Sequence, residues 1–174
     1  MKYFFLLACF VISLQCVSQS DALLNSAKKK LDAENFLEAK ADATKSLESN
    51  PKNKVALVLR GQARMGLQDF YGAITDFTIC LEIDSTYSEA LNFRGESKIA
   101  LGDDYSAIED LDKAIKYNPK YTDAYTNRGF AKYNLEDLQE SYFDFSKALE
   151  LGPADADKYR KQSVSGHPRL FQRH

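Results

Sequence analysis

The stretch RGESKIALGDDYSAIED, residues 94–110, places an Arg-Gly pair inside a run of helical character. Glycine within a helix costs about 1 kcal/mol relative to alanine, so its presence there indicates a packing requirement. The same pair recurs at residues 60–61 and 128–129, so the three pairs are evenly spaced along the chain. The chain therefore contains an internal repeat.

The repeat divides most of the chain into four segments of equal length: 20–53, 54–87, 88–121 and 122–155. Each segment contains apolar residues at helical spacing, a break near the middle, a second helical run and a final turn. The final turns are marked by Pro51, Ser85, Pro119 and Pro153. This pattern predicts four helical hairpins and an all-α fold.

The segments resemble the tetratricopeptide repeat, a family whose unit has the same length as these segments. The resemblance implies a right-handed superhelical solenoid of antiparallel helix pairs. It is carried by coincident columns of bulky, small and large apolar residues. These columns are Leu23, Leu57, Leu91 and Tyr125; Ala27, Gly61, Gly95 and Gly129; Ala39, Ala73, Ala107 and Ser141; Ala43, Phe77, Leu111 and Phe145; and Ser46, Cys80, Ala114 and Ala148.

The close crossing of two helices in such a hairpin explains the glycine column. A residue without a side chain in the first helix lets the small residue of the second helix approach it. We therefore expect Gly95 to face Ala107.

The arginine before each glycine is followed by an aspartate, and the interval between the two is constant. This co-occurrence predicts a partly buried ion pair between the two helices of a hairpin in three of the four segments. The predicted pairs are Arg60–Asp76, Arg94–Asp110 and Arg128–Asp144, whereas the first segment has Ser26 and Asp42.

A second cation recurs one helical turn after the arginine column, as Lys30, Arg64, Lys98 and Lys132. One interpretation is a basic stripe that recruits acidic partners. The interpretation we favour from sequence is a solvated edge that is balanced by carboxylates of the second helices.

Residues 1–18 have the composition of a secretory signal peptide: Lys2, an apolar run and then small and polar residues. This predicts export to a bacterial periplasm or outside the cell. Cleavage fits after Ser18, while an uncleaved anchor and lipidation at Cys9 or Cys16 are the weaker alternatives. Removal of the peptide would leave Cys80 as the only cysteine, which favours a buried apolar role for it.

Composition and motifs argue against catalysis. A chain that is 28% charged with a net charge of −2 favours neither nucleic acid nor an anionic membrane. Its only histidines are His167 and His174, and it has no zinc-type spacing, phosphate loop or triad. We expect no enzyme activity, no cofactor and no metal.

The resemblance implies instead a module that binds a peptide or partner protein on the concave face formed by first helices. Chaperone-binding members of the family hold a terminal carboxylate with cations, but the matching positions here include Glu89 and Asp123 and form no cationic clamp. The alternative function is a structural or assembly subunit of a cell-envelope complex with permanently covered surfaces. The predicted partner-binding residues are Leu59, Gln62, Asn92, Phe93, Glu96, Asn127, Phe130 and Tyr133. For Phe130 and Tyr133, filling the seams between repeats is an equal alternative.

The last residues, 156–174, combine a possible short capping helix with an irregular basic tail. The tail could bind an acidic surface, including a second copy of the chain, and a frayed terminus is the simpler interpretation.

Overall fold

A computed structural model describes residues 19–152. The predicted signal peptide and the predicted cap and tail at 156–174 lie outside the described residues. Helix α1 is described over residues 19–32. The remaining helices are α2 Phe36–Ser49, α3 Lys54–Gly66, α4 Phe70–Ile83, α5 Ser88–Ala100, α6 Asp104–Tyr117, α7 Thr122–Asn134 and α8 Leu138–Leu151. No strand occurs between residues 19 and 152, and the all-α prediction is confirmed.

The helices form two compact units, with the boundary between Ile83 and Asp84. Unit 1 is described through α1–α4, and unit 2 through α5–α8. In unit 2, α6 packs against both α5 and α7, α7 packs against α8, and α5 also contacts α7. Within unit 2, consecutive helices are thus packed neighbours, as in an array of antiparallel helix pairs.

The turn within each hairpin uses one residue with a positive φ angle. These residues recur at the repeat interval, with φ of 58° at Glu34, 61° at Gln68, 79° at Gly102 and 64° at Glu136. A left-handed backbone is disfavoured for residues with a Cβ, and only one of the four is glycine. After Gly102, the side chain of Asp103 accepts a hydrogen bond from the Ser106 amide and caps α6, as expected for a turn that starts a second helix.

The glycines of the first helices make room for the large apolar residues of the second helices. A methyl group at Gly61 would lie 2.5 Å from Cε1 of Phe77, and one at Gly129 would lie 2.7 Å from Cε1 of Phe145. At Gly95 it would lie 2.8 Å from Cγ of Leu111. The Ala107 carbonyl oxygen is also among its nearest neighbours, at 3.3 Å, so Gly95 faces Ala107 as expected and Leu111 as well.

The first hairpin has different side-chain volumes at the same two facing positions. Ala27 replaces the glycine and Ala43 replaces the large apolar residue, and both are fully buried. They form a small core with Leu59, against which Leu24 and Leu31 pack. The volume added at one position is removed at the other, as close packing requires.

Candidate protein-binding face

Each arginine of the Arg-Gly pairs binds the predicted aspartate through two parallel hydrogen bonds. In the pair that joins α5 to α6, Arg94 Nε donates to Asp110 Oδ2 at 2.8 Å and Nη2 donates to Oδ1 at 2.6 Å. The aspartate side chains are nearly inaccessible, with 0%, 2% and 6% exposure along the chain. The predicted buried ion pairs are thus confirmed for Arg60–Asp76, Arg94–Asp110 and Arg128–Asp144.

The second cation column binds the same aspartates. Lys98 Nζ donates to Asp110 Oδ2 at 2.7 Å, so this carboxylate accepts three charge-assisted hydrogen bonds. The predicted balance by carboxylates of the second helices is confirmed, but this column is not a fully solvated edge, because its side chains are only 14–29% exposed. The equivalent contacts are Lys30–Asp42, Arg64–Asp76 and Lys132–Asp144.

The first hairpin keeps this arrangement without its arginine. Ser26 Oγ donates to Asp42 Oδ2 at 2.7 Å, and Lys30 Nζ donates to the same oxygen at 2.7 Å. The hydrogen bonds from Lys30 and Ser26 lower the pKa of Asp42. In this hairpin the neutral Ser26 hydroxyl therefore takes the place of the arginine guanidinium found in the other three.

In the networks around Asp110 and Arg128, the charged partners stabilise the ionised forms of these two side chains. Burial by itself would raise the pKa of Asp110, but hydrogen bonds from Arg94 and Lys98 outweigh it and hold that pKa below its ordinary value. Burial would likewise lower the pKa of Arg128, but the bonds to Asp144 and Asp112 keep it above its ordinary value. The folded state thus stabilises both ionised forms.

These networks determine which charges remain available on the first helices of unit 2. The four cations of α5 and α7 all bind aspartates of α6 or α8. The acids of the two helices, Glu89, Glu96 and Asp123, form no ion pair with a cation in the part of the chain that the structure describes. We refer to these three carboxylates, together with Tyr121 between them, as the acidic face.

A polar network joins α5 and α7 beside this face. Asn127 Nδ2 donates to Asn92 Oδ1 at 3.0 Å. Asn127 also lies near Glu96, and Asn92, which is only 1% exposed, lies near Tyr121. Asn92 therefore contributes to the joint between two helices, whereas we had expected it on the open surface.

The environment of the acidic face disfavours additional negative charge. Burial, followed by repulsion from Asp123, raises the pKa of Glu96. Burial, followed by repulsion from Glu89, also raises the pKa of the Tyr121 hydroxyl. A cation placed among these groups would relieve the repulsion.

The aromatic candidates differ in their surroundings. Phe130 packs edge-on against Phe145 of the same hairpin, with ring centroids 5.5 Å apart and an interplanar angle of 85°. This contact lies within one repeat, so it does not test whether Phe130 fills a seam between repeats. Phe93 and Tyr133 are partly exposed on α5 and α7.

In unit 1, Leu59 is 8% exposed and belongs to the small core, while Gln62 is partly exposed on α3. Unit 2 brings Asn92, Glu96 and Asn127 into one network. Sequence reasoning missed the part that Tyr121 plays, although Glu89 and Asp123 were visible as acids at the clamp positions. Partner binding by the eight predicted residues stays a prediction.

Neither a metal-binding cluster nor a membrane-spanning helix is found among residues 19–152. No group of three or more histidine, cysteine, aspartate or glutamate side chains is arranged to hold a metal there. No helix in this part is both long and apolar enough to cross a bilayer.

Family models identify tetratricopeptide repeats in the second half of the chain. A model described as TPR repeat matches residues 95–136, and one described as tetratricopeptide repeat matches residues 122–155. The sequence matches no curated protein at a significant level.

Solved structures, including tetratricopeptide repeat proteins, share the fold. TTC0263, a thermophilic TPR protein of Thermus thermophilus, aligns with a TM-score of 0.79 and 17% identity over 87% of this chain and 84% of its own. A crystal structure of MamA aligns with a TM-score of 0.71 and 23% identity over 82% of this chain and 84% of its own. The first TPR of Spaghetti (RPAP3), bound to the HSP90 peptide SRMEEVD, aligns with a TM-score of 0.63 and 24% identity over 65% of this chain and 91% of its own. At these identities the likeness concerns the fold.

Proposed function

We propose that this chain is a non-catalytic protein-interaction module that binds a peptide or partner protein on the face formed by its first helices. One observation carries the proposal: the cations of α5 and α7 are turned toward the second helices, which leaves acidic, amide and aromatic side chains on the other side. Such a mixture supplies both hydrogen-bonding groups and aromatic contact area for a polypeptide. Tetratricopeptide arrays are generally protein-interaction modules, and one similar structure holds a peptide.

Within unit 2 the binding residues are Phe93, Glu96, Asn127 and Tyr133. They lie on α5 and α7 and are all partly exposed. Asn92 acts behind them by orienting Asn127 through the 3.0 Å hydrogen bond. Gln62 is the corresponding candidate on α3 of unit 1.

Affinity capture with the mature chain tests the proposal. Phe93→Ala and Asn127→Ala should each reduce recovery of the partner, while both variants keep wild-type helical circular dichroism. Tyr105→Ala is the matched control, because Tyr105 lies on second helix α6 and is 75% exposed. Equal recovery with all three variants would refute binding at this face.

A second candidate function is an assembly subunit, which is favoured by large exposed aromatic side chains on the second helices. Tyr71 and Tyr105 are each 75% exposed, and Phe143 is 53% exposed. Residues of this kind contribute strongly to stable interfaces. The solution mass of the mature chain separates the two functions, because a stable monomer favours the interaction module and obligate association favours the subunit.

We further propose that residues 1–18 direct export, so that the module acts in a periplasm or outside the cell. The apolar run after Lys2 supports this proposal. The intact mass of protein recovered from the envelope should correspond to a chain that lacks this segment. Recovery of the full-length chain from the cytoplasm alone would contradict export.

A further inference from the structure

The described part of the chain ends against the first residue of α7. Gly152 lies against Thr122, such that a methyl group at Gly152 would be 3.0 Å from Thr122 Oγ1. Thr122 stands between Tyr121 and Asp123 in the sequence, and both belong to the acidic face. The segment that follows Gly152 therefore starts at a residue of α7 that is adjacent in sequence to Tyr121 and Asp123.

The segment after Gly152 has the opposite charge. Residues 153–174 contain five lysines and arginines and two aspartates. Three of the cations, Lys158, Arg160 and Lys161, come six to nine residues after Gly152. An extended chain of that length spans about 20 to 30 Å, at roughly 3.3–3.6 Å per residue, so these cations are within reach of α5 and α7.

The electrostatics of unit 2 favour association of this basic segment with the acidic face. Every cation of α5 and α7 is already bound to an aspartate of α6 or α8, so Glu89, Glu96 and Asp123 have no cationic partner among the described residues. Glu96 is partly buried and is repelled by Asp123, and a nearby cation would offset both the burial and the repulsion. A tethered segment also has an effective concentration in the millimolar range, so weak ion pairs suffice to hold it.

We propose that the basic segment around Lys158–Lys161 docks on the acidic face of its own chain, between α5 and α7. The docking requires no partner, so it does not rest on the proposed function.

Zero-length carbodiimide cross-linking of the full mature chain tests the docking, because the reagent joins a lysine amine to a carboxylate in direct contact. The protein is an equal mixture of ¹⁴N- and ¹⁵N-labelled chains, and cross-linked peptides are identified by mass spectrometry. The expected result is a link from Lys158 or Lys161 to Glu89, Glu96 or Asp123 in which both peptides carry the same isotope. The yield should fall strongly in about 1 M salt, where the screening length is about 3 Å.

Three outcomes would overturn the proposal. Links between peptides of different isotopes would show that a second copy supplies the cation. Equal yield at Glu109, an exposed acid on α6, would show that the contacts are unspecific. Absence of any link to the three carboxylates would show that the segment does not reach them. In each case the capture results with Phe93→Ala stay interpretable, so failure here is distinguishable from failure of the proposed function.

Trypsin cleavage after Lys158, Arg160 and Lys161 provides a second measurement. Neutralising the face with Glu89→Gln, Glu96→Gln and Asp123→Asn should accelerate this cleavage roughly fivefold, equivalent to about 1 kcal/mol of surface ion pairing at 25 °C. The control neutralises three exposed acids of unit 2 elsewhere and makes the same change in net charge. Its substitutions are Glu109→Gln, Glu136→Gln and Asp137→Asn. Equal acceleration in the two triple variants would refute docking at the acidic face.

Discussion

Replacing Asp110 by asparagine should destabilise unit 2 more than any other single loss of charge on α6. The carboxylate is 2% exposed and accepts hydrogen bonds of 2.8 and 2.6 Å from Arg94 and 2.7 Å from Lys98. The substitution leaves two cations facing an amide that has only one accepting oxygen. Such a buried, uncompensated charge is strongly destabilising.

The expected loss of stability depends on how strongly Arg94 and Lys98 remain hydrated in the folded chain. Removing one partner of a fully buried pair costs about 3–5 kcal/mol, and an exposed pair contributes less than about 1 kcal/mol. Arg94 and Lys98 are each 18% exposed, so partial hydration places Asp110→Asn near the lower limit, at about 3 kcal/mol. At about 2–4 °C per kcal/mol for a chain of this size, the thermal midpoint should fall by roughly 6–12 °C.

The matched control is Asp112→Asn on the same helix. Asp112 is 56% exposed and binds only Nη1 of Arg128, so its loss should cost less than about 1 kcal/mol. Thermal and urea unfolding of both variants give the comparison. Equal midpoints for the two variants would refute the buried network.

The pH dependence of the same variant provides an independent check. The pKa of Asp110 is lower in the folded chain than its unfolded value of about 3.9. The contribution of the ionised Asp110 carboxylate to folding stability is therefore present above pH ~4 and is lost as the pH falls through the folded pKa. The stability difference between wild type and Asp110→Asn should shrink below pH ~4, and a difference that is constant down to acid unfolding would contradict this assignment.

Three further predictions concern packing, turn geometry and the polar network. Gly61→Ala should destabilise the chain by about 1–3 kcal/mol, because the new methyl group would lie 2.5 Å from the Phe77 ring. Adding Phe77→Ala should relieve the part of this cost that comes from the clash. Purely additive effects of the two substitutions in urea unfolding would contradict the coupling. Glu136→Gly should stabilise the chain by up to about 1 kcal/mol in thermal unfolding, since φ is 64° there, whereas Gly102→Ala at φ 79° should destabilise it. Burial raises the pKa of Glu96 in the folded chain, so stability should decrease as the pH rises above the ordinary glutamate range. Glu96→Gln should abolish that decrease when urea unfolding is followed as a function of pH, and an unchanged slope would show that Glu96 is not its source.

The fold and the buried pairs could be predicted from sequence because they follow the repeat interval. Arginine and aspartate recur together in three segments, and a bidentate pair across a tight crossing is the simplest reason for that. For the second cation column, the balancing carboxylates could be predicted from sequence but the limited exposure could not, because two cations one helical turn apart repel in isolation. Only the crossing of the helices brings a single buried carboxylate within reach of both.

The polar network of the candidate face was less accessible to sequence reasoning. Asn127 bonds with Asn92, which is 35 residues away, so the two amides occupy different columns of the repeat. A column-by-column comparison aligns Asn127 with Phe93 and misses the contact. The role of Tyr121 was missed for a related reason, since it lies just before α7 and its contact with Asn92 depends on how α5 and α7 pack.

Site-specific photo-cross-linking in native cells tests partner binding at the first-helix face most directly. A benzoylphenylalanine is placed at Phe93 on α5 or at Tyr105 on α6 in the full chain, and adducts with other proteins are identified by mass. The account predicts a defined adduct from position 93 and little from position 105, although Tyr105 is the more exposed residue at 75%. An adduct from position 105 that equals or exceeds the one from position 93 would contradict binding at this face and would favour the assembly subunit.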